Sequence, residues 1–230
     1  MIKILYKDKN ILICEKPIGI PSERTTDGQE GIADILCREN EIDTLFIVHR
    51  LDRNVSGVML IAKNKAAAGK FSALVSEQKL NKEYFAVVHG KPDEDCGIYK
   101  DLLFRDSSSG KTFVTDKMRK GVKEASLEYR TLATVQNEDG ELSLVRIKLH
   151  TGRTHQIRTQ FASRQMPLFG DGKYGSHTNR GNIALFATRL SFLHPFTKKE
   201  IDIQLLPEEN YPFDLFSDIL NKGIFGEKIL

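Results

Sequence analysis

Apolar and polar residues alternate every second position along three separate stretches of this chain, and that period commits much of it to β-sheet. From Lys82 to His89, Tyr84, Ala86 and Val88 fall on one side and Phe85 and Val87 on the other. Ala125, Leu127, Tyr129 and Thr131 repeat the pattern, as do Val145, Ile147 and Leu149. A two-residue period places alternate side chains on opposite faces of a strand. Ile2–Tyr6 and Ile11–Cys14 flank the turn-like Lys7-Asp8-Lys9-Asn10 and predict a hairpin. The apolar runs Leu45–Val48, Val58–Ala62, Ile183–Ala187 and Ile201–Leu205 predict further strands, while residues 93–121 are polar and irregular and predict a loop or edge excursion.

Helical spacing is sparser. A short helix is expected over Gly31–Arg38. A longer one should run from an Asn64 cap to about Leu80, its apolar face formed by Ala67, Phe71, Leu74 and Val75. Thr154 can cap a helix to about Arg164, with Ile157 and Phe161 facing the core and His155 and Arg158, three apart, sharing another face. The tail from Phe213 to Leu220 also reads as helix. No repeat or low-complexity linker divides the 230 residues, so one α+β domain dominated by antiparallel strands is the simplest account.

No apolar run approaches the roughly 20 residues that a membrane span needs, so no membrane association is expected. The first eight residues interrupt their apolar positions with charge too early for a signal peptide. Cys14, Cys37 and Cys96 are odd in number and far apart, which fits buried thiols in a reducing cytosol better than disulfides or zinc. A cytoplasmic protein is expected. The net charge of +3 is diagnostic of little, but its distribution is uneven. Between residues 146 and 180, Arg146, Lys148, Arg153, Arg158, Arg164, Lys173 and Arg180 face a single acid, Asp171. From Thr44 to Lys70, five basic residues face Asp52 alone. Brought together, the two stretches would suit a phosphate backbone; taken singly, each is as well explained as a solvated face.

Three short constellations could carry chemistry. In His49-Arg50-Leu51-Asp52-Arg53 a carboxylate lies between guanidinium groups, which favour its charged form; alone, this is better explained as a structural ion pair. His150-Thr151-Gly152-Arg153-Thr154-His155-Gln156-Ile157-Arg158 sets Arg and Thr side chains at a helix start, suited to an anion or to a capped surface helix in about equal measure. Tyr84, in Lys82-Glu83-Tyr84, would be a core aromatic in most proteins with this pattern. Other motifs fail: Gly110-Lys111-Thr112 lacks the first glycine of a phosphate loop, no Gly-x-Ser-x-Gly or His-Glu-x-x-His occurs, and no Gly-x-Gly-x-x-Gly follows a strand. Neither cofactor nor metal is expected.

Together, however, the order and spacing of His49–Arg53 with Ser56-Gly57, Lys82-Glu83-Tyr84, Thr151–Arg158 and Gly170-Asp171-Gly172-Lys173-Tyr174-Gly175 resemble RluA-type pseudouridine synthases. The resemblance runs from about Ile4 to Leu206, with residues 207–230 as a tail. It implies the pseudouridine synthase fold, a long mixed, mainly antiparallel sheet with peripheral helices around a central cleft. It also implies isomerisation of uridine to pseudouridine in ribosomal or transfer RNA, by an aspartate and without cofactor. Carried over, Asp52 matches the catalytic aspartate, Tyr84 the aromatic that stacks on the uracil, and Arg158 the basic residue that pairs with the aspartate. Arg50 matches the arginine that fills the gap left by the extruded base, and Arg53, Arg153, His155 and Lys173 are expected to contact RNA. Asn54, Val55 and Phe186 depart from the usual pattern without removing a catalytic group. No S4-like domain precedes the pattern, so the chain resembles the short members and is expected to act as a monomer without an obligate protein partner. A non-catalytic RNA-binding protein, and a hydrolase using Asp52 on nucleosides or phosphoesters, are the competing readings; a mass-neutral product excludes the second.

Overall fold

The structure, a computed structural model, describes residues 1–178, 181–222, 225 and 229. Its chain divides into two compact units: Met1–Lys82 with Phe186–Leu205, and Glu83–Leu185 with Leu206–Leu230. Each holds a sheet with helices, an α+β arrangement. No helix among the described residues is long and apolar enough to cross a membrane.

In the first unit, β1 (Ile4–Lys7) and β2 (Ile11–Lys16) form the expected hairpin, its turn closed by Asp8, whose carboxylate accepts from the Asn10 and Ile11 amides at 2.7 and 2.8 Å. After α1 (Ile32–Asn40) and the short β3 (Phe46–Ile47), β4 (Ser56–Ala62) pairs antiparallel with β2 and β3. Asn64 caps α2 (Lys65–Ser76) by accepting from the Ala67 amide at 2.8 Å. The helix ends four residues before Leu80 because Gln78 turns to φ 58° and the Gln78 and Lys79 amides bond back to Val75 and Leu74. Phe71 of α2 is fully buried in a cluster with Ile11, Ile13, Val58, Leu60 and Phe192, and meets the Phe192 ring edge-on at 5.4 Å. A buried side chain of this size contributes about 2–3 kcal/mol. Leu12, Cys14, Met59 and Ile61, of opposite parity in the strands, are buried equally, so β2 and β4 are covered on both faces.

The sheet of this unit is mixed. β10 (Leu185–Leu193) runs parallel to β4 through Phe186↔Ser56 and Ala187↔Gly57, and β11 (Glu200–Gln204) returns antiparallel on β10. Gly57, at φ 116°, makes the parallel contact possible: a Cβ there would lie 2.2 Å from the Ala187 carbonyl oxygen.

The second unit is an antiparallel sheet in the order β5 (Asn81–His89), β9 (Gly140–Leu149), β8 (Val122–Asn137), β6 (Cys96–Asp106), β7 (Lys111–Thr115). The stretch expected as an irregular excursion is therefore mostly strand: β6 pairs with β8 from Cys96↔Arg130 to Phe104↔Val122. Across this sheet lies α3 (Gln156–Ala162), whose Phe161 packs against Tyr99 and Tyr129 with ring centroids 5.2 and 5.9 Å apart. Tail residues 213–216 form a 3-10 turn and Ser217–Leu220 the single turn α4.

Candidate active site

Asp52 lies half-buried in the loop between β3 and β4, and the residues on either side of it are fixed. Leu51 is buried and clamped in both directions by Ser22: its amide donates to Ser22 Oγ at 3.0 Å, and that hydroxyl donates to the Leu51 carbonyl at 2.7 Å. The Asp52 carbonyl accepts from the Val55 amide at 3.0 Å, closing a turn over the buried Val55 side chain. Arg53 is held through its backbone. Its carbonyl accepts from the Gly19 amide at 2.9 Å and from Lys16 Nζ at 3.3 Å, while its own Nε donates to the Gly19 carbonyl at 3.1 Å.

Lys16 is the centre of this arrangement. It is fully buried, and its ammonium also donates to the Pro17 and Ile20 carbonyls at 2.9 and 2.8 Å. Burial pushes its pKa down to about 8, an effect that the Asp52 charge partly counters. The sequence offered no signal for Lys16, because a lysine at a strand end normally points to solvent. His49, two residues before Leu51, is also buried, and its Nε2 accepts from the Leu60 amide at 2.9 Å. Desolvation, with the nearby Lys82 charge, pushes its pKa down to about 3. Arg50 is exposed and meets Glu23 at 3.1 Å.

In the second unit Tyr84 is buried on β5, beside Glu83, which forms a buried ion pair with Arg146 at 2.6 Å. Arg158, on α3, is buried and grips Asp171 in a two-pronged contact, Nε to Oδ2 at 2.6 Å and Nη2 to Oδ1 at 2.9 Å. Its guanidinium lies 5.0 Å from the centre of the Tyr174 ring. Asp171 is the lone acid of the basic stretch, and that isolation was the available clue to an internal partner.

The start of α3 differs from expectation. The residue at the cap is His155, in a left-handed conformation with φ 53°, and not Thr154, whose carbonyl accepts from Thr112 Oγ1 at 3.0 Å. The Gln156 side chain supplies the local closure, accepting from the Arg153 amide at 3.0 Å and from Thr151 Oγ1 at 2.7 Å. The helix stops at Ala162, two residues short of Arg164, and is buried from Gln156 to Phe161 rather than along one face. His155 Nδ1 lies 2.8 Å from the Tyr174 hydroxyl, Arg153 Nε donates to the Glu124 carbonyl at 2.9 Å, and Lys173 Nζ donates to the Gly110 carbonyl at 2.8 Å.

The basic stretch is thus less of a free positive surface than its composition implied. Arg146, Lys148, Arg158 and Arg164 each pair with an acid, while Arg153 and Lys173 are exposed and Arg180 lies outside the described residues. Of the three thiols, Cys14 is buried, whereas Cys37 and Cys96 are half-buried, so the expectation of buried cysteines holds for one.

Residues 10–163 match the model of a family described as RNA pseudouridylate synthase. The chain is 33% identical to an uncharacterized RNA pseudouridine synthase, YhcT, of Bacillus subtilis over 92% of its own length and 69% of that protein's. It is 37% identical to an uncharacterized RNA pseudouridine synthase of Aquifex aeolicus, over 86% of this chain and 67% of the relative. With the ribosomal large subunit pseudouridine synthase C of Pasteurella multocida it shares 34% identity over 85% of this chain and 59% of that protein. Among solved structures, human RNA pseudouridylate synthase domain containing 1 superposes with a TM-score of 0.76 at 23% identity, covering 90% of this chain and 84% of the other, which establishes a common fold. Strand order, the Asp52 loop and the family match agree, and the chain belongs to the RNA pseudouridylate synthase family.

Proposed function

We propose that this chain isomerises uridine to pseudouridine within ribosomal RNA, in the cytoplasm, with Asp52 as the essential carboxylate. The reaction breaks the C1′–N1 bond, turns the uracil and rejoins it through C5, releasing the C5 proton, with no net change in composition or oxidation state. Asp52 acts as nucleophile or base, Tyr84 stacks on the uracil, and Arg158 supplies the positive charge opposite the carboxylate. Arg50, Arg53, Arg153, His155 and Lys173 contact the RNA, and phosphate contacts from these residues offset the few kcal/mol that extruding a stacked base costs. Ribosomal RNA is favoured over transfer RNA by the similarity to ribosomal large subunit pseudouridine synthase C.

The observation that carries this reading is the fixing of the Asp52 loop through backbone atoms by Lys16, Gly19 and Ser22, which leaves the acid side chain outside the bonds that hold the loop together. The test is tritium release from ribosomal RNA labelled at uridine C5, together with a pseudouridine map of cellular RNA with and without the protein. The wild type is expected to release tritium and add pseudouridine at defined ribosomal positions, and Asp52→Asn to do neither while still binding RNA. Full activity in Asp52→Asn defeats the assignment, and new pseudouridine confined to transfer RNA moves the substrate.

A further inference from the structure

The Tyr174 hydroxyl sits at a junction whose hydrogen bonding has one consistent solution. Tyr174 ends the 3-10 turn Gly172–Tyr174, which follows directly on Asp171, the partner of Arg158. Its oxygen accepts from the Thr112 amide of β7 at 2.8 Å. A backbone N–H can only donate, so this contact occupies a lone pair and leaves the single hydroxyl proton to be placed. The other partner of the oxygen is His155 Nδ1 at 2.8 Å, and it is the acceptor available to that proton. A neutral imidazole whose Nδ1 accepts carries its own proton on Nε2. The backbone agrees with a side chain held for a purpose: His155 adopts φ 53°, a conformation that residues other than glycine, asparagine and aspartate seldom take. The two rings meet edge-on at 5.6 Å with an interplanar angle of 82°.

We propose that Tyr174 is a positioning residue that locks His155 in the tautomer protonated on Nε2, so that His155 meets RNA as a hydrogen-bond donor and not as an acceptor. Its partners are then RNA oxygens, the phosphates and uracil carbonyls. One turn serves both residues that α3 and its cap present: Asp171 orients Arg158, and Tyr174, three residues on, orients His155. The RNA half rests on the function proposed above; the tautomer half stands without it.

The experiment has two arms on the full chain. With ¹⁵N-labelled histidine, the His155 ring signals, assigned by their loss in His155→Gln, are expected to show a bare Nδ1 and a protonated Nε2. Tyr174→Phe, which keeps the ring and removes only the hydroxyl, is expected to give a tautomer mixture at an unchanged fold. A wild-type Nδ1–H tautomer, or a Tyr174→Phe spectrum identical to wild type, overturns the lock. In the second arm, dissociation constants are measured on a ribosomal RNA transcript that the wild type modifies. A glutamine amide nitrogen can occupy the place of Nε2 and an asparagine nitrogen that of Nδ1, so His155→Asn is expected to bind about tenfold more weakly than His155→Gln, the loss of one directed hydrogen bond. A role confined to the backbone predicts the reverse order, because asparagine is the better residue at positive φ. Equal binding, or tighter binding by His155→Asn, overturns the donor role. A wild type that fails to bind the transcript removes the RNA half and leaves the tautomer result to stand.

Discussion

The loop that carries Asp52 and the helix that carries Arg158 are held by opposite means. Around Asp52 the bonds run through the backbone: a buried ammonium shared among three carbonyls, and a serine hydroxyl that both gives to and takes from one peptide unit. Around Arg158 they run through the functional side chain itself, in a buried ion pair with Asp171. The first design separates chemistry from folding, since the acid can be changed without removing a support. The second fuses them, because deleting the guanidinium strands a charge that is 1% exposed.

Four measurements sharpen or break this contrast. Asp52→Asn is expected to give the largest effect, a loss of turnover of at least about a thousandfold, with a melting temperature close to wild type; a chain that unfolds instead erases the distinction. Arg158→Met is expected to lose about 3–5 kcal/mol of stability in urea unfolding. The double variant Arg158→Met/Asp171→Leu should recover most of that stability and none of the activity, and recovery of neither would place the support elsewhere. Lys16→Met removes the donor from three carbonyls and should cost about 2–3 kcal/mol, with activity falling because the loop loosens; an unaffected loop would show that Ser22 and Gly19 suffice.

The smallest effect is one of pH. His49 has its pKa lowered in the folded chain from 6.5 to about 3, so the unfolded chain takes up a proton that the folded chain refuses. The stability this provides is complete above about pH 6.5 and is lost progressively as pH falls toward 3, by about 1.4 kcal/mol per unit. Comparing wild type with His49→Asn between pH 6.5 and 5, above the range where carboxylates titrate, isolates the slope; equal slopes would mean that His49 charges freely in the folded state.

What could be read from the residues was whatever has a local period or a local cap. The Asn64 cap, the α2 face and the first hairpin all follow from side chains within a few positions of one another. β6 escaped notice because its alternation is spoiled by Lys100, Asp101 and Arg105, and only Leu103 on it is deeply buried; its strand character comes from pairing with β8. β10 was placed two residues early and too short, since Arg189 and Ser191 interrupt its apolar run. The site was legible as a set of motifs but not as a mechanism of support. Lys16 and Ser22 act on residues 37 and 29 positions away, and no window of local sequence contains both ends of such a bond. His155 was legible as a basic contact, whereas the tyrosine that orients it lies 19 residues later.

The parallel pairing of β4 with β10 has a consequence for biosynthesis. Ser56 and Gly57 find Phe186 and Ala187 only after some 130 intervening residues have left the ribosome. A nascent chain stopped before residue 186 therefore has the Asp52 motif but lacks the strand that finishes the sheet beside it. Competence for chemistry should arrive late in translation and all at once, which protects a growing polypeptide from engaging the ribosomal RNA around it while half made.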